Sequence, residues 1–180
     1  LPISSEGHID LDMIVWATGF DAVTGSLLRV DIRGRDGVSL RDAWADGPRA
    51  YLGVAVAGFP NLFTITGPQS PGVLSNMVVS IEQHVEWVTD LIAHLRDRGL
   101  RAAEPTAAAQ EEWVQHVVEV ADATLFPQTQ SWYSGSNIPG KPRVFMPYVG
   151  GVGAYREECA RRAAAGYIGF EDRKSTRLNS

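Results

Sequence analysis

Residues 67–77, Gly-Pro-Gln-Ser-Pro-Gly-Val-Leu-Ser-Asn-Met, leave this chain few ways to fold. Pro68 and Pro71 fix φ and remove two amide donors, while Gly67 and Gly72 open turns closed to other residues, so the segment must be a stiff, sharp bend. Before it, residues 61–65 form a short apolar run with β-branched and aromatic members, the pattern of an interior strand. After it, Leu74, Met77, Val78, Ile81, Val85, Val88, Ile92 and Leu95 recur at spacings of three and four, one stripe of an amphipathic helix. Ser75 and Asn76 are good N-caps, so the helix should open where the bend ends, with free N–H groups and partial positive charge. Such a strand end, turn and helix start can hold a planar or anionic cofactor. By pattern alone, an ordinary strand–turn–helix connection is the commoner reading.

The remaining chain reads as α/β. Residues 13–17 have the continuous apolar character of a strand buried on both faces, and Ala17, Thr18 and Gly19 then allow a tight turn or a close approach to a ligand. Residues 27–32 alternate as an edge or hairpin strand, residues 34–37 supply a turn, and residues 54–57 and 144–146 read as further strands. The long helix should end near Arg98 with Gly99 just beyond it. A connector over residues 100–105 leads to Thr106 as N-cap and a second helix over 107–126, with Trp113, Val117 and Val120 inward. A third helix spans 154–165 and is closed by Gly166.

Trp44 and Tyr51 are expected to anchor the core. Glu82, His84, Glu86 and Asp90 fall off the apolar stripe and read as a solvated face. His84 and Glu86, two apart, point in different directions and make no acid–base pair. Trp132 sits in a loop rich in Gly, Pro and Ser, where it either caps the core or covers a ligand. Lys141 and Arg143 have solvated or structural roles, with attraction for an anionic cofactor as the alternative. Counting from Gly151, the sixth position is Arg156, so no Gly-x-Gly-x-x-Gly turn forms there.

Composition narrows the class. The chain has 180 residues, 44% apolar and 21% charged, and a net charge of −5 with its 16 basic residues scattered. That is ordinary for a globular domain and unsuited to nucleic acid or a polybasic membrane patch. A single cysteine, Cys159, excludes an internal disulfide and fits a reducing cytoplasm. The four histidines lack metal-ligand spacing, and no apolar run approaches the ~20 residues of a membrane span.

Several blocks together resemble the Baeyer–Villiger monooxygenases, the class B flavoprotein monooxygenases, over about residues 12–170. They are Gly58-Phe59-Pro60-Asn61-Leu62-Phe63, Gly67-Pro68-Gln69-Ser70-Pro71, Ser75-Asn76-Met77, Ala17-Thr18-Gly19 and the run from Ser131 and Trp132 to Arg143. The resemblance implies the C-terminal part of a flavoprotein with two dinucleotide-binding, Rossmann-like domains and appended helices. Residues 1–20 would end the NADP-binding domain and form the hinge, residues 21–170 would continue the FAD-binding domain, and residues 171–180 would be a foreign or disordered tail. FAD and NADP are the implied cofactors, with a ketone and O2 as the small-molecule partners. Met77, Asn76, Thr18, Gly19 and Trp132 would contact the cofactors, Trp132 meeting the nicotinamide. Pro71, Gly72, Val73 and Leu74 would line the ketone pocket. Both phosphate-binding loops and the family's catalytic arginine would precede Leu1 in the missing N-terminal domains, so the fragment alone should be inactive and its cut surfaces apolar. An N-hydroxylating or dimethylaniline-type flavin monooxygenase and a non-catalytic interaction domain are the alternatives.

Overall fold

The structure is a computed structural model that describes residues 12–16, 20–72, 74–129 and 131–173. Four helices and two strands carry the chain: α1 (Leu40–Ala43), α2 (Met77–Asp97), β1 (Ala102–Pro105), α3 (Ala107–Asp122), α4 (Val152–Ala164) and β2 (Phe170–Arg173). Their ends are chemically marked. The Ser39 hydroxyl accepts from Asp42 N–H, the Asn76 side chain from Val78 N–H, and the Thr106 hydroxyl from Ala109 N–H, each satisfying an N-terminal donor that the helix itself cannot. Gly99 and Gly166 follow α2 and α4 at φ +66° and +80°, backbone that terminates a helix with little strain only in glycine.

The main core is built from α2, α3, α4 and the turn around Tyr51. Trp87, Val88, Leu91 and Leu95 of α2 meet Trp113 and Val117 of α3, Tyr155 and Cys159 of α4, and Tyr51, Leu52 and Val54. Trp113 and Tyr148 stack at 5.4 Å, and Trp87 and Tyr167 meet edge to face at 5.1 Å. These are favourable geometries for aromatic quadrupoles. A second cluster gathers Leu40, Trp44, Ala50, Val56 and Phe59. Trp44 and Tyr51 are therefore core anchors, as their area suggested. Two charged side chains are buried among the described residues, Glu104, which pairs with Arg35, and Arg162, which donates to Tyr51 Oη at 2.5 Å, Glu158 at 2.5 Å and Glu112 at 3.0 Å. A guanidinium buried this deeply is stable only when so partnered.

The strands differ from the sequence reading. Among the described residues the one sheet is the antiparallel pair β1–β2, with Ala102 opposite Arg173 and Pro105 opposite Phe170. Residues 100–105, expected as a connector, thus supply a strand, because Ala103 also accepts Asn61 N–H at 2.9 Å and donates to Asn61 Oδ1 at 3.1 Å. The strands expected at 54–57 and 61–65 shrink to isolated bridges, Tyr51 to Ala55 and Ala55 to Phe63. The left-handed backbone at Leu52, Gly53, Asn61 and Thr66 breaks any longer ladder. Residues 144–146 join no strand, and of residues 27–32 the turn Leu27–Arg29 is a 3-10 helix. Residues 13–16 are exposed instead of buried, Met13 at 78% and Trp16 at 81%, with no neighbouring strand among the described residues.

Helix α2 buries a different face from the one its apolar stripe predicted. Its inward residues are Ser80, Gln83, His84, Trp87, Val88, Leu91 and Leu95. Val78 (62% exposed), Ile81, Val85 (48%) and Ile92, with Leu74 just before them, face outward. The helix is apolar on two sides, and the period of three and four cannot say which side the chain itself covers. Glu82, Glu86 and Asp90 lie on the solvated face expected of them, but His84 does not: it is fully buried.

Candidate functional site

The bend at residues 66–71 is fixed by hydrogen bonds through almost every polar group it has. Gln69, only 1% exposed and at φ +64°, accepts Ala50 N–H on Oε1 at 2.8 Å and donates from Nε2 to Pro48 O at 2.9 Å. Its backbone N–H donates to Met146 O at 2.5 Å, and its carbonyl accepts the Trp113 indole N–H at 3.0 Å. Ser70 O accepts Tyr148 N–H at 2.8 Å, and the Ser70 hydroxyl donates to Gly67 O at 2.7 Å. Gly72 is needed for fit, because a Cβ there would lie 2.7 Å from Pro147 Cβ. The stiffness read from two prolines is real, but it is the Gln69 amide that clamps the bend to the core.

This bend, the start of α2 and the Trp132 loop enclose a cavity of about 60 Å³. Pro71, Gly72, Met77 and Trp132 all line it, together with Thr66 and Tyr133, so residues chosen from two distant sequence blocks meet at one place. Its wall is almost wholly apolar and carries no charged side chain. Leu74 borders an adjoining hollow of about 190 Å³ shared with Pro71 and Gly72. Asn76 is exposed, and its side-chain oxygen is taken up in capping α2 at 3.1 Å from Val78 N. Thr18, Gly19 and Val73 lie outside the described residues.

The Trp132 loop is held at both ends. The 3-10 turn Trp132–Ser134 is capped by Ser131, and Gly135 follows at φ +74°. Met146 N–H donates to Tyr133 O at 2.9 Å, and the Tyr133 ring meets Phe126 edge to face at 5.8 Å. Farther along, Asn137 Nδ2 donates to Phe20 O at 3.0 Å, and Lys141 forms an ion pair with Asp21. Lys141 thus has a structural role. Trp132 stacks on Tyr133 at 4.1 Å yet stays 37% exposed.

His84, which the sequence pattern assigned to solvent, is fully buried beneath the bend, with its ring accepting Thr66 N–H at 2.9 Å. Burial holds its pKa down at about 4. Cys159 is also buried, its thiol pushed up to about 11, so it is no nucleophile at neutral pH. Only a long-range view finds His84, because its partners lie 18 and 71 residues away.

Larger hollows lie elsewhere. One of about 540 Å³ between α3 and α4 is lined by Glu112, Glu158, Arg161 and Arg162, whose charges largely neutralise one another. Another of about 550 Å³ lies at the C-terminal end of α2, lined by Phe63, Ile92, Arg96 and Leu100 among others. Among the described residues no cluster of His, Cys, Asp and Glu could hold a metal, and no helix is long and apolar enough to cross a membrane.

In overall structure the chain is similar to one class of proteins, the flavin-dependent monooxygenases. The chain superposes on the closed form of cyclohexanone monooxygenase with a TM-score of 0.89 at 46% identity, over 95% of this chain and 32% of that one. It superposes on OTEMO in complex with FAD and NADP with a TM-score of 0.85 at 41% identity, over 93% of this chain and 31% of that one. Within that class the sequence relatives are Baeyer–Villiger monooxygenases, as the resemblance implied. The acetone monooxygenase (methyl acetate-forming) of Gordonia sp. (strain TY-5) is 52% identical over 162 residues, 89% of this chain and 30% of its own length. A Baeyer–Villiger monooxygenase of Pseudooceanicola batsensis is 45% identical over 164 residues, 91% of this chain and 30% of its own. The phenazine N-monooxygenase PhzNO1 of Lysobacter antibioticus is 44% identical over 160 residues, 89% of this chain and 29% of its own. The chain therefore spans about 30% of the length of the relatives it matches. No protein-family model matches it.

Proposed function

We propose that this chain works as part of an FAD- and NADPH-dependent Baeyer–Villiger monooxygenase that inserts one oxygen atom of O2 into a ketone, giving an ester or lactone. The observation that carries this reading is the meeting of Pro71, Gly72, Met77 and Trp132 on one apolar cavity. At about 60 Å³ that cavity is far below the ~300–1,000 Å³ of a complete ligand site, so these residues act as one wall. The outward stripe of Val78, Ile81, Val85 and Ile92 supports the same view, being the kind of surface that an upstream domain would cover.

The residues present fit a flavin and a nicotinamide ring. Met77 offers a polarisable thioether beside a planar system, and the partly exposed indole of Trp132 offers a stacking platform. Bound FAD, reduced by NADPH, supplies oxygen chemistry that side chains cannot. This chain would orient the rings, present Pro71, Gly72 and Leu74, and Val73 between them, to the ketone, and exclude water with an apolar wall. Thr18 and Gly19 would sit at the hinge between the two cofactor domains, and Asn76 would set the helix start. The protein would act in the cytoplasm, where the single thiol stays reduced.

The test is to read the frame upstream of Leu1 and assay the complete product. We expect two glycine-rich βαβ turns, a yellow FAD-containing protein, and NADPH oxidation that depends on a ketone. Absence of both turns, or a colourless protein that leaves NADPH untouched, rejects the reading. A second reading, oxidation at nitrogen, draws on the 44% identity to a phenazine N-monooxygenase. Turnover of an N-heteroaromatic substrate with none of cyclic, linear or aryl ketones would favour it instead.

A further inference from the structure

Two tight turns lie side by side under the cavity, and both contain backbone that ordinary residues avoid. Leu52 has φ +54° and Thr66 φ +53°, each beside a glycine, and Gly67 N–H donates to Gly53 O at 3.2 Å to join them. A branched residue in the left-handed region is uncommon, and such conformations persist where surrounding structure over-determines them. The Thr64 hydroxyl also donates to Gly53 O at 3.0 Å, and one pair of side chains reaches both left-handed residues. His84 Nδ1 accepts from Thr66 N–H at 2.9 Å, and His84 Nε2 lies 2.7 Å from Tyr155 Oη, which donates to Leu52 O at 2.5 Å.

The proton count along this chain is fixed. Tyr155 has one hydroxyl proton, and Leu52 O can only accept, so that proton points at Leu52. The hydroxyl must then accept from Nε2–H of His84, which leaves Nδ1 bare for Thr66 N–H. Only the neutral Nε2–H tautomer satisfies all four groups. A second ring proton would face the Thr66 amide proton, and His84 is fully buried with no compensating charge among its bonded or stacked partners in the described residues.

We propose that His84 is a positioning residue, whose single tautomer shared with Tyr155 holds both left-handed turns in register and so sets the opening between Met77 and Trp132. The inference rests on the flavoprotein reading for the purpose of that opening, but its geometry can be tested without a cofactor. In the full chain labelled with ¹⁵N, NMR should find His84 protonated on Nε2 and unprotonated on Nδ1, with the Thr66 amide protected from exchange. His84→Gln keeps a donor near Tyr155 but removes the Thr66 acceptor, whereas His84→Asn places an amide oxygen near the Nδ1 position. Thr66 amide exchange should therefore be about tenfold faster in the Gln variant than in the Asn variant, the loss of one hydrogen bond. The ε-methyl resonance of Met77 should move in the Gln variant and stay in place in Leu40→Val, a control in the second core cluster. An Nδ1–H tautomer, equal Thr66 exchange in the two variants, or a Met77 methyl indifferent to His84→Gln overturns the proposal. Should neither variant fold, the tautomer in the unsubstituted chain still decides it. In the complete protein, loss of flavin binding in the parent would reject the flavoprotein reading and leave these results standing.

Discussion

Gln69 is the residue on which the site wall turns. Its amide satisfies both Ala50 N–H and Pro48 O inside the core, so Gln69→Ala leaves two buried groups without partners. We expect a loss on the order of 2–4 kcal/mol, read as a lower urea midpoint at unchanged slope. His84 gives the acid dependence its sign. With a folded pKa near 4 and an unfolded one near 6.5, the unfolded chain binds the extra proton first. Stability is then complete above pH 6.5 and declines on the order of 3 kcal/mol as pH falls toward 4. Glu158, held down to about 2 by the guanidinium groups of Arg161 and Arg162, adds a later decline between about 4.5 and 2. Denaturation followed from pH 7 to pH 3 should show the first decline in the parent and lose it in His84→Asn. Trp132 is the functional counterpart: in the complete protein Trp132→Ala should raise KM for NADPH several-fold while FAD content is retained, and unchanged NADPH kinetics would reject its role. These residues were unequally legible. Met77 and Trp132 stand in distinctive motifs, whereas the work of Gln69 and His84 depends on partners tens of residues away that no local pattern announces.

At the scale of elements, helices were read well and strands poorly, for a physical reason. Asn76, Thr106, Gly99 and Gly166 mark helix ends by local chemistry, and α2, α3 and α4 begin and end within a few residues of those marks. A strand needs a neighbour, and the β1–β2 pairing joins residues nearly 70 apart in the chain. The inward face of α2 was equally illegible, since both sides of the helix are apolar. That two-sidedness predicts a contrast in the chain itself. Leu91→Ala, in the core, should cost about 2–5 kcal/mol, while Val85→Ser, on the outward stripe, should stay within about 1 kcal/mol by the same denaturation measurement. A Val85→Ser variant as damaging as Leu91→Ala would mean that the outward stripe is covered within this chain.

For the whole molecule, fold and site were legible to different depths. The motif blocks identified the family from residues that lie on the bend, the helix cap and the Trp132 loop. The position of residues 13–16 was not legible, because an apolar run reads as a buried strand whether or not neighbours cover it, and among the described residues none does. The cavity is small, about 60 Å³, and the chain spans about 30% of the length of the relatives it matches. If a second body covers the outward stripe of α2, mixing the chain with the upstream domains should quench its tendency to bind a hydrophobic dye such as ANS. Persistent dye binding in the complete protein would count against that assembly.

The tethers from Asn137 to Phe20 and from Lys141 to Asp21 join the aromatic loop to the segment at residues 20–21. The loop is consequently not an independent flap. It rides on residues 20–21, so cutting a tether, as Asp21→Ala would, should loosen the indole without touching the cavity wall itself.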